Sequence, residues 1–139
     1  MSQNAQNILA KAGLRKTNAR VEIIAFMDEQ EGALALADLE RSLLHLADRA
    51  TLYRTLKSFE EAGVVHKVVD PSGVLRYALC QESCQTDEAH QHAHAHFSCT
   101  SCGKMICLEE LDLPPMKLPE GFLAEEAQLV FTGMCKSCR

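Results

Sequence analysis

Residues 48–79 read DRATLYRTLKSFEEAGVVHKVVDPSGVLRYAL, and the order of elements they encode decides the fold. Asp48 stands where a helix N-cap belongs, its carboxylate able to accept from the first backbone N–H groups. Behind it Leu52, Leu56 and Phe59 recur at i, i+4 and i+7, an apolar stripe at helical period, and Gly63 closes the helix. That stripe leaves Arg49, Thr51, Tyr53, Arg54 and Lys57 on or near the solvent side. VVHKVV and VLRYAL follow, two short β-rich runs flanking DPSG, a turn tetrapeptide with Pro at i+1 and Gly at i+3.

Upstream, three more helical segments lead into this unit. Residues 3–12 form a short helix stopped by Gly13. Thr17 or Asn18 caps a second, with Val21, Ile24, Ala25 and Asp28 marking one face, and Gly32 breaks it. Leu36, Leu39, Leu43 and Leu46 give a third amphipathic helix. Helices followed by a hairpin are the element order of a winged helix-turn-helix, in which the last helix before the hairpin enters a major groove. Charge on a helix face is usually solvation only. Tyr, Arg and Lys together on one face, with a hairpin behind it, favour double-stranded DNA as the partner.

Downstream, residues 80–93 (CQESCQTDEAHQHA) are polar and irregular and read as a linker. Strand-like runs then return: HFSCTSC, KMICLEEL and FLAEEAQLVFTGMC. Between the last two lies LPPMKLPEG, where Pro114, Pro115 and Pro119 discourage a long helix. The expected fold class is α+β. A winged-helix DNA-binding domain spans 1–80, a hinge 81–93, and a small metal-binding domain 94–139, to which the family resemblance given below assigns dimerisation.

The composition, 47% hydrophobic and 24% charged over 139 residues, is that of a soluble globular protein of one or two small domains. No run is long enough for a signal peptide or a membrane span, which predicts a cytoplasmic protein with no membrane partner. Seven cysteines in such a chain argue for thiols kept reduced and used for metal, and an odd count fits complete pairing poorly. Net charge is −5, but it is unevenly placed. Stretch 11–20, KAGLRKTNAR, holds Lys11, Arg15, Lys16 and Arg20 and no acid, a local anion-facing patch.

Cys99-x-x-Cys102 and Cys135-x-x-Cys138 are the strongest chemical signal. Two such pairs close a tetrahedral four-thiolate zinc site with no open position, which makes it structural. A redox C-x-x-C usually comes singly at the start of a helix. Residues 103–134 separate the pairs, so an antiparallel strand arrangement is expected to bring them together. Ahead of the first pair, His90, His92, His94 and His96 occupy alternate positions, which an extended strand would line along one face. His94 and His96, nearest the strand, are the favoured ligands of a second site; His90 and His92 fall in the linker and read as solvated. Further ligands are needed. His66 and Cys80 are candidates because both lie where the two domains would meet. Cys84 and Cys107 are alternatives, each equally readable as a small buried residue or a spare thiol. His45 reads as a surface or packing residue.

The chain resembles the ferric uptake regulator superfamily of bacterial metal-dependent repressors, essentially end to end. The matching segments are AGLRKTNAR, RATLYRTLKSFEEAGVV, the His-x-His before CTSCGK, and the closing GMCKSC. The resemblance implies a homodimer that binds a palindromic operator when a regulatory metal sits at the hinge. It matches Tyr53 and Arg54 to a base- and phosphate-contacting pair and Arg15 to a minor-groove basic residue, with Arg20, Thr51 and Lys57 completing the expected DNA surface. Within the family, iron and peroxide sensors usually carry a His where this chain has Ala33 and a carboxylate where it has Cys107; a further site uses the positions of Ala93 and Ala95. Zinc-sensing members are more similar. They imply a regulatory site of His66, Cys80, His94 and His96, a donor set that suits Zn2+ better than Fe2+ or Mn2+.

The expected function is therefore a zinc-responsive repressor of metal-homeostasis genes. The alternative is an iron-, manganese- or peroxide-sensing member of the same family. A zinc hydrolase or redox enzyme would need an open coordination position and a nearby base, with only Glu82 and Glu109 on offer. A zinc buffer would need no DNA-binding face. Neither an enzyme activity nor a small-molecule substrate is expected.

Overall fold

The computed structural model describes residues 3–30, 32–79, 94–112, 116–124 and 127–139, and side chains for all of these except positions 94, 109, 110 and 112. The predicted linker, with Cys80, Cys84, His90, His92 and Ala93, lies outside the described residues, as do Pro114 and Pro115.

Helix α1 (Gln3–Lys11) and helix α2 (Asn18–Glu29) begin the chain. Thr17 caps α2, its hydroxyl accepting from the Arg20 N–H at 3.2 Å. The buried face of α2 is Val21, Ile23, Ile24 and Met27. Asp28 falls outside that face, exposed and bonded to the Asn4 amide at 2.9 Å. A two-residue strand β1 (Leu34–Ala35) precedes α3 (Leu36–Leu43). Asp48 caps α4 (Arg49–Glu61) as expected, its carboxylate accepting from the Thr51 N–H at 2.8 Å. The predicted stripe Leu52, Leu56 and Phe59 is fully buried. It meets Leu9, Val21, Ile24, Leu39, Leu43, Val64 and Tyr77 in one core, where each large apolar side chain contributes about 1.5–3 kcal/mol.

The hairpin is β2 (Val65–Val69) and β3 (Leu75–Leu79), antiparallel, with Lys67 opposite Tyr77. β1 pairs with the other edge of β3, giving sheet order β1-β3-β2. Two residues carry no readable periodicity, so β1 has no signal in the sequence. Helices α2 to α4 with this small sheet make the winged helix-turn-helix.

A second sheet contains β4 (His94–Cys99), β5 (Met105–Asp112) and β6 (Leu129–Gly133), in the order β5-β4-β6. β4 runs antiparallel to β5 but parallel to β6, with Cys99 opposite Gly133. The expectation that antiparallel strands would unite the two cysteine pairs is therefore corrected. Parallel neighbours end at the same edge of the sheet, so the pairs that follow β4 and β6 emerge side by side. A parallel pair needs a long crossover, which is what the segment after β5 supplies. No helix occurs among the described residues of 113–128.

The two sheets meet. Ala33, Val68 and Ala78 from the winged unit pack with Met105 of β5 and Val130 of β6. The Ala33 N–H donates to the Met105 carbonyl at 2.7 Å.

Candidate metal centres and nucleic-acid interface

The four cysteine sulfurs all lie within 4.8 Å of one another. Cys99 ends β4, and the chain turns back so that the Gly103 N–H donates to the Cys99 carbonyl at 3.0 Å. The same turn aims the Cys102 N–H at Cys99 Sγ, and the Cys135 N–H approaches that sulfur from the other knuckle, both at 3.4 Å. These two backbone donors favour the thiolate and hold the Cys99 thiol at about 6, well below its ordinary value. Cys138 is pushed the other way, to about 12, chiefly by the Cys135 thiol beside it. Four crowded thiols cannot all ionise without a cation. A Zn–S bond of about 2.3 Å implies tetrahedral S···S edges of roughly 3.8 Å, and Cys102 Sγ and Cys135 Sγ stand 3.9 Å apart. The donor set fits a dication with every position filled by protein.

A second cluster lies at the junction. His66 on β2 and His96 on β4 are both 3% exposed. Their Nε2 atoms are 3.3 Å apart and the rings are tilted by 49°. Cys107 on β5 is the register partner of His96, and its sulfur completes a trio of donors within 4.8 Å. Of the regulatory ligands expected from the sequence, His66 and His96 are brought together. Cys80 and the His94 side chain lie outside the described atoms. Cys107, weighed only as an alternative, is the third donor. Its signal was the register of β4 on β5, which the spacing of one strand does not reveal.

On α4, Tyr53, Arg54 and Lys57 are exposed, as the apolar stripe on the other face requires. Thr51 is half-buried, and its hydroxyl receives Arg54 Nη2 at 3.4 Å. Arg49 is tied to Glu40 at 2.9 Å, and Lys67 on the wing to Glu60 at 3.3 Å. Arg15 is exposed in the loop before α2, while the Arg20 guanidinium donates to the Arg15 carbonyl at 2.7 Å. Arg20 thus shapes the loop that presents Arg15.

Residues 11–126 match the sequence profile of the ferric uptake regulator family. The chain belongs to that family. Members of the ferric uptake regulator family are metal-sensing, DNA-binding transcription regulators and not enzymes, and a bound divalent metal suits the cysteine cluster described above. The zinc uptake regulation protein of Escherichia coli (strain K12) is 31% identical over 141 residues, covering 96% of this chain and 78% of that protein. The ferric uptake regulation protein of Shigella flexneri is 33% identical over 102 residues, 70% of this chain and 63% of that protein. Among solved structures, a zinc uptake regulator complexed with zinc and DNA superposes with a TM-score of 0.68 at 28% identity, over 97% of this chain and 90% of that one. The Vibrio cholerae ferric uptake regulator shares the fold with a TM-score of 0.58 at 22% identity, over 96% of this chain and 100% of that one. Among the described residues no helix is long and apolar enough to cross a membrane.

Proposed function

We propose that this family member is a zinc-responsive repressor that binds a palindromic operator in double-stranded DNA as a homodimer and works in the cytoplasm. Residues 1–80 form the DNA-binding unit, 81–93 the hinge and 94–139 the dimerisation unit. The observation that carries the reading is the trio His66, His96 and Cys107, drawn from both units and meeting at their junction. Two imidazoles and a thiolate favour Zn2+ over Fe2+ and Mn2+, which suit oxygen donors better. Cys80 and His94 are the residues assigned to complete that shell, and Cys99, Cys102, Cys135 and Cys138 hold a separate structural Zn2+.

When bound, the regulatory ion supplies attraction between donors on two units, and only in the closed arrangement. Closure sets the two α4 helices of the dimer at the separation of operator half-sites. Tyr53 and Arg54 then reach base edges and phosphate, Lys57 and Thr51 fix register on the backbone, and Arg15 enters the minor groove from the loop that Arg20 holds. Metal and operator raise each other's affinity by the same factor.

The dimer is supported by an apolar face of the second sheet. Val130 of β6 packs into the junction, so its neighbours Leu129 and Phe131 face the other way and are exposed. Phe122 and Leu123, 70% and 90% exposed, add to the apolar surface of this unit. A second copy of the chain would cover these groups.

The test uses dimer that retains the cysteine-bound zinc but is stripped of the second metal, with operator duplex selected from genomic fragments. Zinc at buffered free concentrations should raise affinity by a factor in the range of roughly 5–150. Equal affinity with and without the second metal would remove the regulatory role. Activation by Fe2+ at lower free concentration than Zn2+ would move the protein to the iron-sensing reading, which the similarity to ferric uptake regulation proteins represents.

A further inference from the structure

We propose that the Gly32–Ala33 turn and Met105 form a clasp, free of metal ligands, that positions the junction site for its ion. The proposal rests on the reading that His66, His96 and Cys107 bind metal. Three observations carry it. The Ala33 N–H donates to the Met105 carbonyl at 2.7 Å, both residues being almost fully buried. Gly32 adopts φ +92°, and a Cβ there would stand 2.0 Å from the Met105 carbonyl oxygen and 2.9 Å from its carbon. Those are backbone atoms of β5, which cannot rotate away as a side chain would. The Ala33 carbonyl is in turn held by Arg76 Nη1 at 3.3 Å, and Arg76 Nε is fixed to Asp70 at 2.9 Å.

The clasp and the metal donors share the same two strands. On β2, Val68 and His66 are buried while Lys67 and Val69 are exposed, so the first two face the junction together. On β5, Met105 and Cys107 are likewise two positions apart and on one face. Seating Met105 against Ala33 and Val68 therefore sets where Cys107 stops relative to His66. The clasp raises the population of the closed arrangement before an ion arrives without making it dominant, and the ion then completes the closure.

Gly32→Ala is compared with Gly73→Ala in the full-length dimer with its cysteine-bound zinc retained. Gly73 has φ +90° and nothing within 4 Å of a Cβ, so it reproduces the backbone strain without the collision. The junction site is titrated with Co2+, whose thiolate charge-transfer band reports its cysteine ligands, the share of Cys107 being read from the loss of intensity in Cys107→Ser, and operator binding is followed against free zinc. Gly32→Ala should weaken Co2+ binding and right-shift zinc activation by about tenfold or more, and Gly73→Ala by less than about twofold, because only the former lowers the population of the binding-competent state. At saturating zinc, Gly32→Ala should regain the wild-type operator affinity. Arg76→Lys, which keeps the charge beside Asp70 but shortens the reach to Ala33, should give a smaller shift in the same direction and serves if Gly32→Ala does not fold. Equal shifts for the two glycine variants, or none for Arg76→Lys where Gly32→Ala does not fold, overturn the clasp alone. A wild-type Co2+ band insensitive to Cys107→Ser overturns the metal reading and the clasp with it.

Discussion

His66 and His96 lie thirty positions apart in the chain, yet their Nε2 atoms are 3.3 Å from each other. One ring comes from the wing and the other from the central strand of the second sheet, so nothing local brings them together. Removing one imidazole should therefore cost the junction metal and leave each unit's own core intact. His96→Ala is expected to bind one metal equivalent fewer per chain while keeping its cysteine-bound zinc. Its operator affinity in zinc should fall to that of stripped wild type, a loss of roughly 5–150-fold. Metal content and fluorescence anisotropy on the same preparation check this; full retention of the second equivalent would refute the assignment.

Cys107 gives a second handle on the same site, because it is the donor that separates a thiolate site from a carboxylate one. Cys107→Asp keeps a ligand of similar reach and exchanges soft sulfur for hard oxygen. Preference for Zn2+ over Mn2+ should drop by roughly tenfold or more, in line with the ligand softness rule. Competition between the two ions, followed by operator binding, measures the ratio. An unchanged ratio would mean that Cys107 does not touch the ion.

The winged unit was legible in the sequence because its signals are local. Asp48 as N-cap, the Leu52, Leu56, Phe59 stripe and the DPSG turn each depend on residues a few positions apart, and the structure places all three as read. The Cys99, Cys102, Cys135 and Cys138 cluster was equally readable from two spacings, though not the way it forms. Whether β4 and β6 run parallel or antiparallel depends on the crossover between them, and the cysteine spacing is the same either way. That Cys107, read from the sequence only as an alternative, clusters with His66 and His96 was hidden for a related reason. Its position opposite His96 is a matter of β4–β5 register, and a one-residue slip would turn it to the other face.

Arg54 projects from the exposed face of α4, where its guanidinium donates to the Thr51 hydroxyl at 3.4 Å and its charge favours the ionised Asp48 cap. Arg54→Ala should leave metal content and folding unchanged. Operator affinity should fall by about 1–3 kcal/mol, and loss of a phosphate contact would lower the slope of log K against log salt by about one. A variant with wild-type affinity and salt dependence would exclude α4 as the groove-reading helix and revive a metal-buffering role.

Asp70 links the wing turn to the clasp. Its carboxylate accepts from the Ser72 hydroxyl and N–H, the Val74 N–H and Arg76 Nε, and these bonds hold it at about 2, below its ordinary 3.8. The Ser72 hydroxyl is the largest cause, burial opposes it, and Arg76 is the next group that lowers the value. A lowered folded-state value means that the ionised form is favoured by folding. The stabilisation is present above pH 4 and is lost as pH falls from about 4 toward 2. Asp70→Asn should destabilise the protein by about 1–2 kcal/mol at neutral pH, and the difference from wild type should shrink below pH 4. Urea unfolding of variant and wild type, compared at each pH so that loss of metal from the protonated thiols is common to both, tests both parts; a difference that grows on acidification would contradict the bonding described.

Phe131 distinguishes a dimer built on the second sheet from any other arrangement. Along β6 the side chains alternate, and Val130 is committed to the junction, which leaves Phe131 on the opposite face at 44% exposure beside its register partner Phe97. An exposed aromatic on an edge strand is a liability for a lone chain, and an isologous contact would bury it twice, once from each copy. Phe131→Asp places a charge there and, across a two-fold axis, a like charge opposite it. Sedimentation should then report the mass of one chain at concentrations where wild type has the mass of two. Since Val130 and the two metal clusters are not altered, the variant should keep both metals and lose only the affinity that comes from engaging two half-sites together. A variant that stays dimeric would place the interface elsewhere, with the exposed Phe122 and Leu123 as the next positions to change.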